Sequence, residues 1–90
     1  MKIDFKQEVT TIRGESYKDK PTLGDLVVEM LLAPSNELSG QEKFKRYKLA
    51  TKVENGEDLD IEEANLVKES LGKHPHPAVV GVCWDMLEGI

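Results

Sequence analysis

Apolar residues recur along the chain with two different periods, and the first period is that of a β-strand. Between residues 2 and 11 apolar or uncharged side chains alternate with mostly charged ones, so that one strand face would hold Ile3, Phe5, Gln7, Val9 and Thr11 and the other Lys2, Asp4, Lys6, Glu8 and Thr10. This alternation predicts a half-buried strand. Gly14 tolerates positive φ, so the segment Arg13-Gly14-Glu15 predicts a turn and residues 16–18 a short returning strand. Because an isolated hairpin is marginal in water, we expect it to pack on helices, with extension of a partner's sheet as the alternative.

After Pro21 the apolar residues follow a helical period. Thr22 suits an N-cap, and the apolar residues behind it recur at helical spacing: Leu23, Leu26, Val27, Met30 and Leu31. Two further capping patterns, a Ser or Asp followed by Glu three residues later, predict a second helix over residues 39–54 and a third over residues 60–71.

The last apolar segment fits either a helix or a buried strand. Pro77 suits the first position of a helix from Ala78 to about Leu87, with Gly89 as a stop, whereas the run 79–82 alone would also fit a strand. We favour the helix, because the residues that follow continue it. The sequence thus predicts one small α+β, mostly helical domain over residues 1–90, with an N-terminal β-hairpin (1–20) packed on three to four short helices (22–88).

Composition indicates a soluble domain. The 90 residues include 39% apolar residues and carry a net charge of −5. A single cysteine forms no internal disulfide, which fits a reducing cytosol. The first six residues hold no continuous apolar stretch, and no run approaches the ~18 apolar residues of a membrane span. We therefore expect no signal peptide, no membrane contact and a cytoplasmic location.

Charge is unevenly distributed along the chain. Residues 39–53 carry a net charge of +4, and residues 54–72 carry −6. At 100° per residue, Lys45, Lys48 and Lys52 fall within about 60° on the second helix. Such a stripe is most often a solvated face. The alternatives are a protein-binding surface and a phosphate-binding face. The net negative charge of the chain makes a nucleic-acid partner improbable.

Neither a metal site nor a catalytic site is predicted. His74, His76 and Cys83 are the soft-ligand types present, but structural zinc takes four ligands in familiar pairs, and both histidines precede proline in a stiff linker. The chain has no nucleophile-elbow, phosphate-loop or EF-hand spacing. We therefore expect no metal, no cofactor and no enzymatic activity.

Trp84, the single tryptophan, has two interpretations. In an apolar segment it fits a core anchor, whereas tryptophan is also enriched at binding hot spots. A small domain offers limited cover for the last segment, so Val80, Trp84 and Leu87 form a candidate partner-binding surface, together with Lys45, Lys48 and Lys52.

Two segments carry a family resemblance: Thr22-Leu23-Gly24-Asp25 at the start of the first helix, and residues 38–50, which read LSGQEKFKRYKLA. With the later Pro-Ala-Val-Val-Gly turn at residues 77–81, they resemble a group of small phage- and prophage-encoded proteins of unassigned function. The resemblance implies a viral or prophage gene that is expressed in a bacterial cytoplasm. The resulting hypothesis is a non-enzymatic interaction module, an assembly factor or regulator, that binds a phage or host protein or itself. The alternative is a nucleic-acid-binding accessory protein that uses the basic helix 39–54.

Overall fold

The computed structural model describes residues 3–88, and within that range four α-helices follow one another along the chain. They are α1 (Leu23–Leu31), α2 (Gly40–Glu54), α3 (Ile61–Leu71) and α4 (Pro77–Glu88). The predicted helical segments are therefore confirmed, and the ambiguous last segment is a helix rather than a strand. Lys2 and Gly89, assigned above to a strand face and a helix stop, lie outside the described residues.

The predicted N-caps explain where the helices begin. Thr22 Oγ1 accepts a hydrogen bond from the Asp25 amide at 3.1 Å, and the Asp25 carboxylate accepts one from the Thr22 amide at 2.9 Å. Asp60 and Glu63 form the same reciprocal pair at α3. These bonds satisfy amide groups that a helix start otherwise leaves without partners.

Helix α1 lies at the centre of the packing. It contacts both α2 and α3, while α4 packs on α3. The core draws on every helix and on the N-terminal segment; its largest fully buried apolar side chains are Val9, Leu23, Val27, Leu59, Val67, Leu71 and Cys83.

The predicted N-terminal β-hairpin, and with it the α+β class, is wrong. Among residues 3–88 there is no strand, only isolated antiparallel bridges between Glu8 and Thr22 and between Thr10 and Ser16. The turn at Gly14 does form, with φ of 81°. The alternation failed as a strand signal because the backbone of residues 5–9 pairs chiefly with residues 21–24, at the start of α1, instead of with the returning segment.

The N-terminal segment extends the cap of α1. The amides of Leu23 and Gly24, in its first turn, donate to the carbonyls of Gln7 and Phe5, each at 2.8 Å. Glycine at position 24 permits this close approach, because a Cβ there would lie only 3.0 Å from the Phe5 carbonyl oxygen. The buried side chains of Phe5 and Val9 thus come from a segment that supplies hydrogen bonds to a helix end.

No helix within residues 3–88 has both the length and the apolar character needed to cross a membrane.

Candidate functional site

A groove of about 340 Å³ runs between α2 and α3, and it collects the predicted lysine stripe. Its apolar lining comes from Phe44 and Leu49 of α2 and from Leu66 of α3. Along the α2 side its rim is basic, formed by Lys45, Lys48 and Lys52. The three lysines that the sequence placed on one stripe therefore border one cleft with an apolar floor.

The orientation of α2 follows from its buried positions. Residues 46, 49, 50 and 53 are buried, at the i, i+3, i+4, i+7 spacing of one helix face. The outward side carries two aromatic rings, Phe44 at 59% exposure and Tyr47 at 55%, with centroids 6.3 Å apart. Lys48 Nζ lies 5.5 Å from the Phe44 ring centroid. Exposed aromatic rings beside cations are typical of binding surfaces.

An ion pair spans one part of this groove. Lys52 Nζ donates to both carboxylate oxygens of Glu63, at 2.9 and 3.0 Å, and so links α2 to the first turn of α3. The hydrogen bond to Glu63 raises the pKa of Lys52 above its usual value. Lys45 and Lys48 form no ion pair within residues 3–88. The rim therefore offers two uncommitted cations and one that already has a counter-ion.

The other predicted binding residues lie on α4, apart from the groove. Leu87 is only 7% exposed and belongs to the core, whereas Val80 is half-buried. Trp84 is 36% exposed, so it is neither fully buried nor fully presented. Its indole Nε1 donates to the Lys68 carbonyl of α3 at 3.1 Å, and Lys68 Nζ lies 4.8 Å from its ring centroid. Trp84 docks α4 on α3, and of the three predicted α4 residues only Leu87 lies in the core.

The two histidines lie close together, but Cys83, the third soft-ligand residue, is buried in the core. The rings of His74 and His76 are 5.3 Å apart, and His74 Nδ1 accepts a hydrogen bond from the His76 amide. Cys83 is fully buried, and burial raises the pKa of its thiol to about 11. Across residues 3–88 no three His, Cys, Asp or Glu side chains are arranged to hold a metal ion.

Arg46 is a residue that the sequence reasoning did not single out. It is only 6% exposed, and its Nη1 donates to the buried hydroxyl of Ser70 on α3. Its Nε is buried without a hydrogen-bond partner. A signal was present in the sequence, because residue 46 continues the spacing of Leu49, Ala50 and Val53 back by one turn, whereas its charge makes it one member of the basic run 39–53.

In comparisons with protein-family models, curated proteins and solved structures, the chain has no significant match. The phage-family resemblance therefore stays a prediction.

Proposed function

We propose that this chain is a non-enzymatic protein-interaction module that binds an acidic, amphipathic segment of a partner protein in the groove between α2 and α3. The observation that carries the proposal is the pairing of an apolar floor with a lysine rim in a single cleft.

The chemistry of the groove selects the partner. An apolar side chain seated against Phe44, Leu49 and Leu66 would gain the free energy of removing apolar surface from water. Carboxylates flanking that side chain would meet Lys45 and Lys48, which favours acidic over basic partners and fixes orientation. A volume of about 340 Å³ suits one large apolar anchor with its flanking residues, because it is near the lower limit of ligand pockets (roughly 300–1,000 Å³).

A protein partner is favoured over nucleic acid for two reasons. Phosphate binding depends on an accumulated positive field, and the chain carries a net charge of −5. Because Lys52 is paired with Glu63, the rim offers only Lys45 and Lys48, and two cations match the one or two carboxylates of a short segment but not a row of backbone phosphates. Nucleic-acid binding by helix 39–54 is therefore the alternative that the experiment below tests.

The biological setting belongs to the same proposal. The resemblance implies a phage or prophage gene, so the partner would be a phage or host protein met in the bacterial cytoplasm, or a second copy of the chain. In a second copy, the acidic residues 54–63 would supply the carboxylates.

Fluorescence anisotropy with synthetic probes tests the proposal. The first probe is a short labelled peptide with Leu and Phe at helical spacing and Asp or Glu elsewhere; the second has the same apolar residues and Lys in place of the acids. The third is a labelled single-stranded oligonucleotide. We expect the acidic peptide to bind most tightly, with the charge-reversal pair Lys45→Glu and Lys48→Glu weakening it about tenfold or more.

A matched control reverses a charge outside the groove. Lys73 is exposed just beyond the end of α3, so Lys73→Glu should leave the affinity for the peptide within about twofold. Equal binding of the acidic and basic peptides, or binding that ignores the Lys45 and Lys48 changes, contradicts the proposal. Tighter binding of the oligonucleotide, lost steeply with salt, would replace the protein partner by nucleic acid. A rise in mass by sedimentation that disappears in the same variants would identify the partner as a second copy.

A further inference from the structure

A second cavity lies on the other side of α2, against the α1–α2 connection. It has a volume of about 380 Å³. Its lining combines apolar residues from the end of α1 and the connecting segment, chiefly Leu32, Pro34 and Leu38, with Lys43 and Arg46 of α2. At 100° per residue, Lys43 lies about 160° around the helix from Lys45, so this cavity and the groove are separate sites.

Arg46 is a buried cation without a counter-ion. It is 6% exposed, and within residues 3–88 its guanidinium forms one hydrogen bond, from Nη1 to the hydroxyl of Ser70, and no ion pair. Its Nε has no partner. Serine is a neutral acceptor, so the positive charge itself is uncompensated. Buried charges in folded proteins are normally paired, because desolvating an unpaired ion is costly.

The cavity around Arg46 is positive in an otherwise acidic chain. Its lining includes Lys43 and Arg46 but no Asp or Glu, whereas the whole chain has 17 acidic residues. Polar groups of Ser35 and Asn36 border it as well. An anion entering the cavity would meet two cations and no like charge from its lining.

We propose that this cavity binds a carboxylate attached to a small apolar group, with Arg46 as its main counter-ion and Lys43 as a second one. The inference goes beyond the groove and does not depend on it. The planar guanidinium, which Ser70 already holds at Nη1, suits a carboxylate better than a point charge does. The remainder of the ligand would lie against the aliphatic part of the lining, chiefly Leu32, Pro34 and Leu38.

A carboxylate fits better than a phosphate. A phosphoryl group presents three acceptor oxygens and is typically surrounded by several donors, often backbone amides at a helix start. Here the charged donors are one guanidinium, partly committed to Ser70, and one lysine. The many apolar lining residues also disfavour a group that stays hydrated on several sides.

Two sources supply this chemistry, and the experiment separates them. The carboxylate belongs either to a free branched aliphatic acid or to the C-terminus of a peptide that ends in an apolar residue. The probes are 4-methylpentanoate with its amide as the uncharged control, a short peptide ending in Leu with its C-terminal amide, and inorganic phosphate.

The readouts are the ¹⁵N–¹H signal of Arg46 Nε and the melting temperature of the full chain. We expect the carboxylate probes, and not their amides, to shift the Arg46 signal. The melting temperature should rise by roughly 5–10 °C once the probe reaches about ten times its dissociation constant. Arg46→Met should weaken binding about tenfold or more, and Lys43→Gln by a smaller factor. The groove variants Lys45→Glu and Lys48→Glu should leave this binding unchanged.

The proposal remains testable if Arg46→Met does not fold. Lys43 is exposed, so Lys43→Glu should preserve the fold while placing a competing carboxylate at the cavity, and it should abolish probe binding. Equal shifts from the carboxylates and their amides, tighter binding of phosphate, or carboxylate binding that survives Lys43→Glu would each overturn the assignment. The stronger of the two carboxylate probes identifies the source.

Discussion

Trp84 tests the packing of α4 more directly than any other residue. Its indole contacts α3 in three ways: a 3.1 Å hydrogen bond to the Lys68 carbonyl, a Lys68 Nζ 4.8 Å from the ring centroid, and close packing over Gly72. A Cβ at position 72 would lie only 3.2 Å from Trp84 Cζ2, which shows how closely the ring approaches the end of α3. We expect Trp84→Ala to destabilise the fold.

The magnitude follows from the contacts that the substitution removes. A tryptophan that stays 36% exposed buries about 150 Å² on folding, near the lower limit for aromatic residues. At about 25 cal/mol per Å² this burial contributes about 3–4 kcal/mol, as an upper estimate, to the free energy of unfolding. Trp84→Phe keeps much of the ring contact and removes the indole donor, so it should cost about 1–2 kcal/mol.

Urea denaturation followed by far-ultraviolet circular dichroism measures both changes without relying on tryptophan fluorescence. Asp85→Ala is the matched control, because Asp85 is the exposed neighbour of Trp84 on α4 and its change should stay within about 0.5 kcal/mol. A loss below about 1 kcal/mol for Trp84→Ala would refute the packing argument. That result would favour the other sequence-based interpretation, in which Trp84 is a binding residue.

Two further predictions concern the N-terminal segment and the cysteine. Gly24→Ala should lower the free energy of unfolding by about 1–3 kcal/mol, because its Cβ would press on the Phe5 backbone. Gly40→Ala, with open space around the new Cβ, should cause no loss. Equal effects of the two changes in urea titrations would contradict the capping role of the N-terminal segment. Cys83 should react slowly with a thiol reagent at about pH 8, because burial raises the pKa of its thiol from 9.0 to about 11 and little thiolate exists in the native state. In concentrated guanidinium chloride the same thiol should react rapidly. Rapid labelling of the folded chain would contradict its burial.

The candidate site was only partly accessible from the sequence. Helical spacing placed Lys45, Lys48 and Lys52 on one stripe, and all three do border one groove. The apolar floor depends on Leu66 of α3, and no local pattern states which helix lies opposite α2. The same spacing did not predict the ion pair between Lys52 and Glu63, because that contact joins residues eleven positions apart on two helices.

The α4 assignment shows the limit of composition as a guide. The last segment has apolar residues nearly all round a helix, which indicated that a small domain would bury some of them and leave the others exposed. Leu87 was expected on the surface and lies in the core, while Trp84 holds an intermediate position because α3 covers one part of its ring.

The sequence by itself determined α1, α2 and α3, because their signals are local, and it favoured a helix over a strand for α4. Caps such as Thr22 with Asp25 and Asp60 with Glu63 act within one turn, and apolar spacing defines each buried face without reference to a partner. Tertiary structure decided which backbone would pair with residues 5–9 and which group Arg46 would meet on the buried face of α2. Both depend on groups far apart in the sequence: unsatisfied amides at the start of α1, and the hydroxyl of Ser70 on α3. An alternating segment offers the same backbone donors and acceptors to a strand or to a helix end, so only the assembled chain selects its partner.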